Sequence, residues 1–109
     1  MNGGNIKQKL KLLYKNKCMK SRERIYEICS KWLERNLTLS ESHNNRMSEE
    51  EIVEMITSII CTRDNISYPG GSFVQAICDN DLDGAVSRAD SDNIRLLKLY
   101  VIAKNCISI

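Results

Sequence analysis

The sequence predicts an all-α fold, a compact bundle of five or six short helices forming a single domain over residues 1–109. Three observations carry that expectation. Apolar residues recur at i, i+3, i+4, i+7 in one segment after another, the spacing of a helical face. Capping residues stand ahead of several of these segments, and polar or Pro/Gly breaks separate them. Nothing alternates with period two for long enough to make a strand.

A first helix is expected over 6–17, where Ile6, Leu10, Leu13 and Tyr14 share one side. Lys7, Lys11 and Lys15 recur every four residues as a stripe beside them. Ser21 can cap a second helix. In it Ile25, Ile28, Cys29, Trp32 and Leu33 follow the core-facing template without a miss, and it decays near Asn36. Residues 38–46 are polar and read as a loop. The third helix has the strongest local signal. Ser48 and Glu51 match a Ser-x-x-Glu capping box, and Met47 and Ile52 suit a hydrophobic staple. Glu49, Glu50 and Glu51 complement the helix dipole in the first turn. Ile52, Met55, Ile56, Ile59 and Ile60 then face inward.

Residues 63–69 break that helix, and Pro69-Gly70-Gly71 is a turn. A fourth helix carries Phe73, Ala76 and Ile77. After Asn80-Asp81 the pattern resumes with Leu82, Ala85, Val86 and Ala89. Asp90-Ser91-Asp92 offers caps for a last helix with Ile94, Leu97, Val101 and Ile102 inward. The expected core is Ile25, Ile28, Trp32, Leu33, Ile52, Ile56, Ile59, Phe73, Ile77, Leu82, Val86, Leu97 and Val101.

Composition narrows the function. No apolar run approaches the roughly 20 residues of a membrane-spanning helix, and the N-terminus lacks the apolar region of a secretory signal. No membrane role is expected, and the chain is expected to stay where it is made. The five cysteines, Cys18, Cys29, Cys61, Cys78 and Cys106, include no Cys-x-x-Cys, so neither a zinc ribbon nor a thioredoxin-type motif is available. Cys29 and Cys61 lie on apolar faces, and the thiols read as reduced residues of a reducing cytosol. His43, the only histidine, sits in a polar loop. No phosphate-binding glycine pattern occurs, so an enzyme is not expected, and no cofactor is implied.

One segment matches a calcium loop on paper, D-x-[DN]-x-[DN]-G from Asp79 to Asp90. Asp79, Asp81, Asp83 and Asp90 would supply carboxylates and Ala85 its carbonyl. Against this stand the short Asp90 at the closing position, the apolar Leu82 inside the loop, and an entering helix that can start no earlier than Gly70. Leu82, Ala85, Val86 and Ala89 also make sense as one helical face.

Charge is segregated. Residues 1–24 carry eight basic residues against Glu23, a net of +7, and the remainder carries eight basic and 13 acidic residues, a net of −5. A basic arm on an acidic body suits an electrostatic contact with an anionic surface. Nucleic acid is one such surface, although no aromatic residues interleave with the basic ones, and no helix-turn-helix spacing joins the third and fourth helices. The equally simple reading is a solvated charged face.

From residue 69 to about 105, the string Pro69-Gly70-Gly71-Ser72-Phe73-Val74-Gln75-Ala76-Ile77, then Asn80-Asp81-Leu82, Ala85, Arg88-Ala89-Asp90, Asn93, Leu97 and Asn105, resembles a family of short bacteriophage and prophage proteins. The family pattern is P-x-G-S-F-hydrophobic-x-A followed by N-D-L-x-x-A-x-x-R-A-D. It omits acids at positions 79 and 83, which weakens the calcium reading, and makes Arg88 and Asp90 helix-end partners. The resemblance implies a helical, non-enzymatic interaction protein in the host-cell cytoplasm. Such a protein binds and inhibits or redirects a host or defence complex, anti-CRISPR activity being the most concrete form. The partner-binding face would be Lys7, Lys11, Lys15, Arg22 and Arg24. The alternative is a small DNA- or RNA-binding accessory protein using the basic N-terminal helix.

Overall fold

A computed structural model describes residues 22–36 and 47–109. The helix expected at 6–17, the loop at 38–46, His43 and the stripe of Lys7, Lys11 and Lys15 lie outside the described residues. The rest is all-α, with six helices and no strand among the described residues: α1 (residues 22–35), α2 (Glu49–Arg63), α3 (Ser72–Cys78), α4 (Leu82–Arg88), α5 (Ser91–Arg95) and α6 (Leu97–Cys106).

Helix α2 is the axis of the bundle. Ile52, Val53, Ile56, Thr57, Ile59, Ile60 and Cys61 are all buried, a face too wide for a helix covered on one side only. Its start follows from its sequence. The Ser48 hydroxyl accepts from the Glu51 N–H at 3.2 Å. The Glu51 carboxylate accepts from the Ser48 hydroxyl at 3.3 Å rather than from the Ser48 backbone, so the expected capping box closes through the side chain. Thr57 is the one buried polar side chain among the described residues, and it donates to the Val53 carbonyl at 2.7 Å, which satisfies it at no cost to the core.

Helix α1 runs antiparallel beside α2. Arg22 at its start meets Glu54, whereas Ser30, Leu33 and Glu34 near its end face Glu49, Glu50 and Val53. Ile25, Cys29, Trp32 and Leu33 are buried at i, i+4, i+7, i+8, and Ile28 packs against the core from its margin. On the other side α3 and α6 pack on α2, and α4 packs on α3.

Helix ends are closed by side chains of neighbouring helices. Arg63 donates to the carbonyls of Lys104 at 2.6 Å and Ile107 at 2.7 Å, two carbonyls that α6 leaves without helical partners. Lys104 in turn donates to the Ile77 carbonyl at the end of α3 at 3.3 Å and to the side chain of Asn80. Cations at helix C-termini also complement the dipole.

The C-terminal third departs from the sequence expectation. The single last helix is two, broken at Leu96, whose φ of −98° and ψ of 4° end α5 and begin α6. The break turns the inward face. Leu96, Leu99, Tyr100, Ala103 and Ile107 are buried, at i, i+3, i+4, i+7, i+11. The expected Val101 is 37 % exposed and Ile94 38 %, and Leu97 and Ile102 are only partly buried. The expectation fails equally in α4. Leu82 is 63 % exposed and Val86 46 %, because α4 is seven residues long and buries only Gly84 and Ala85.

Candidate interaction surfaces

Asp79 through Asp90 form no open loop. Asp81 caps α4, its carboxylate accepting from the Gly84 N–H at 3.0 Å, and it pairs with Arg88 at 3.8 Å. A Cβ at Gly84 would collide with the Asp81 carboxylate and the Arg88 guanidinium, so the glycine serves this cap rather than a metal loop. Asp90 caps α5, accepting from Asn93 N–H at 2.8 Å. Asp79 ends α3, and Asp83 sits in the first turn of α4. Ala85, which would have offered a loop carbonyl, accepts a helical bond from Ala89 at 3.0 Å. Among the described residues no three His, Cys, Asp or Glu side chains could jointly hold a metal ion. Calcium titration should give no heat and no shift in melting temperature, and a chelator should leave the melting curve where it was.

Helices α4 and α6 both pack on α3 and make little contact with each other. Between them lies a groove of about 160 Å³, floored by Ala76 and Ile77 and walled by Leu82, Ala85, Leu97 and Val101. Lys104, Asn80 and Asp81 stand at its polar margin. The exposed Leu82 and Val101 therefore share one apolar slot, and Val86 extends its α4 side by one turn. Sequence periodicity found these residues but assigned them to the core. Lys104, which positions the slot by tying α6 to the end of α3, carried no signal beyond its place in a last helical turn.

Of the five basic residues expected to bind a partner, Arg22 and Arg24 are described. Arg22 spans from α1 to Glu54 at 3.7 Å and donates to the Ser67 hydroxyl at 3.3 Å, so it ties α1 to α2 and to the chain beyond it. Arg24 is exposed. Beside them is a groove of about 480 Å³ between α1 and α2, lined by Arg22, Glu23, Tyr26, Glu27, Glu54 and Thr57. Its charged lining holds three carboxylates and one guanidinium. No local spacing announces it, because the carboxylates come from two helices.

Cys29, Cys61, Cys78 and Cys106 are free thiols. Cys29 and Cys61 are buried as expected. Burial pushes the Cys29 thiol up from 9.0 to about 11, against a smaller opposing effect of its hydrogen bond with Thr57. Burial also raises the Tyr100 phenol, assisted by the acids Asp90, Asp92 and Glu51. Neither group resembles an activated nucleophile, which needs a lowered pKa. Both have consequences for stability. The unfolded chain releases these protons first, so stability is fully present below about pH 9 and falls as pH rises towards about 11. Cys29 alone should remove on the order of 2 kcal/mol across that window. Denaturant titrations should show this loss, and Cys29→Ala should make the decline shallower.

No described helix is long and apolar enough to cross a membrane. No family model, curated protein or solved structure matches the chain.

Proposed function

We propose that the protein acts by binding rather than by turnover, inhibiting or redirecting a host or defence complex in the manner of a phage-encoded anti-CRISPR protein. The observation that carries this reading is the charge segregation, +7 over residues 1–24 against −5 over the remainder. Lys7, Lys11, Lys15, Arg22 and Arg24 form the contact face in this reading. Arg24 is exposed at the start of α1. Oppositely charged surfaces speed encounter and fix register, and they disfavour partners of like charge. The slot between α4 and α6, with Leu82 and Val101 exposed beside Ala76 and Ile77, offers a second, apolar contact of the kind that anchors side chains at interfaces.

The second reading, a DNA- or RNA-binding accessory protein, draws on the same basic residues. A tagged pull-down from bacterial lysate, with and without nuclease and read by mass spectrometry, separates the two. A stoichiometric protein partner that survives nuclease is the expected result. A partner set that vanishes with nuclease moves the assignment to nucleic acid. Binding to random-sequence duplex that weakens steeply with salt would support the same conclusion.

A further inference from the structure

Helix α4 leaves Leu82 and Val86, a pair at i, i+4, outside the core. Leu82 walls the slot that Leu97 and Val101 close from α6. A slot of about 160 Å³ falls short of the roughly 300 Å³ at which small-molecule pockets begin. It matches one large aliphatic side chain instead, since a cavity of about 150 Å³ accepts a benzene-sized group. Leu82, mostly exposed, is a side chain of that size standing at the slot's own edge.

Charge is divided across this slot. Residues 79–92, which include α4, hold five acids against Arg88, a net of −4. Residues 93–109, which include α6, hold Arg95, Lys98 and Lys104 and no acid, a net of +3. Part of that charge is used within the chain, where Asp81 pairs with Arg88 and Lys104 reaches Asn80. Asp83 and Lys98 are both exposed, and neither joins an ion pair among the described residues. Asp83 stands one turn before Val86 and Lys98 one turn before Val101, so each borders its own helix's share of the apolar strip. An acidic wall and a basic wall on either side of one apolar slot complement each other, as a self-matching surface requires. A two-fold axis along the slot lays α4 of each copy over α6 of the other.

We infer that two copies of the chain pair through this slot, in an isologous dimer with α4 of each protomer against α6 of the other. Leu82 of one protomer enters the slot of its partner beside Val101, and Asp83 of one meets Lys98 of the other. The symmetry makes each contact twice. The apolar strip is short, so the interface belongs to the small class that forms reversibly. The slot's occupant is then the chain itself. The inference does not rest on the proposed function; under that reading each dimer offers its charged face twice.

Sedimentation equilibrium of the full-length chain alone, at concentrations up to about 1 mM, tests the pairing without any foreign partner. Reductant keeps the exposed Cys106 from cross-linking the sample. The expected result is a reversible equilibrium between one chain and two that goes no further. Leu82→Asp should weaken the dimer at least about tenfold and leave the circular dichroism spectrum unchanged. Asp83→Lys and Lys98→Asp should each weaken it about tenfold, because each sets like charges against one another twice. The variant carrying both should return to within about threefold of the wild type, the coupling expected of residues in contact. A chain that stays monomeric over the whole range overturns the inference, as does association that continues past two. So does a dimer indifferent to Leu82→Asp, or charge swaps whose losses add in the double variant. A monomer whose Leu82→Asp variant loses a nuclease-resistant pull-down partner assigns the slot to that partner instead, and the inference falls. The wild-type masses and the charge swaps decide even if Leu82→Asp fails to fold.

Discussion

Replacing Tyr100 by alanine is expected to cost about 3–5 kcal/mol, enough to bring a domain of ordinary stability close to unfolding. Tyr100 is fully buried. Its ring meets Phe73 edge-on, with centroids 6.1 Å apart and planes at 72°, and its hydroxyl donates to Asn93 at 2.9 Å. That one side chain joins α6, α3 and the short α5. Tyr100→Phe keeps the ring and loses the hydroxyl's bond to Asn93 and its weak 3.9 Å contact with the Met47 sulfur. Asn93 is partly exposed and can turn to water, so the cost should be about 1 kcal/mol. Val101→Ala, one residue away and 37 % exposed, should cost less than about 1 kcal/mol. Denaturant titration of the three variants measures the register of α6 directly. If Val101→Ala proves costly and Tyr100→Ala mild, the helix faces the other way, as the sequence expectation had it.

That expectation shows where periodicity stops being informative. Ile52, Ile56, Ile59 and Ile60 lie on a helix of 15 residues with a strong cap, so the apolar positions define one direction, and all four are buried. The same holds for Ile25, Trp32 and Leu33 on α1. Between residues 82 and 106 the helices are of seven, five and ten residues. Almost every position from Ile94 to Ala103 other than Arg95 and Lys98 is apolar or aromatic. Two inward faces are then compatible with the pattern, Ile94–Leu97–Val101 and Leu96–Leu99–Tyr100–Ala103. The break at Leu96 selects the second, and it has no glycine or proline to announce it.

The candidate surfaces were less legible still. The acids of residues 79–90 could be seen in the sequence, but their task as caps depends on α4 starting at Leu82 instead of an open loop. The acidic groove needs Glu54 beside Glu23 and Glu27, an adjacency set by the antiparallel packing of α1 on α2. Side chains thirty residues apart come together there for reasons no local spacing records.

Trp32→Ala is the second large effect, also expected at about 3–5 kcal/mol. Trp32 is 8 % exposed, and its carbonyl accepts from the Asn36 side chain at 2.7 Å, which closes the end of α1. Ile25, Cys29, Trp32 and Leu33 are the side chains that α1 buries in the core, whereas the polar ties given by Arg22 to Glu54 and Ser67 are exposed or at the limit of hydrogen-bond length. Removing the largest of those four side chains should therefore weaken the attachment of α1 before it disturbs α3 or α6. Trp32 is also the only tryptophan, so its emission in the wild type reports α1, while far-ultraviolet circular dichroism reports all the helices. Coincident unfolding curves from the two probes would show α1 to be part of one cooperative unit. In that case Trp32→Ala should lower the whole dichroism transition. If the variant melts at the wild-type temperature, Trp32 does not bury its ring in the core and the burial of α1 rests on Ile25, Cys29 and Leu33.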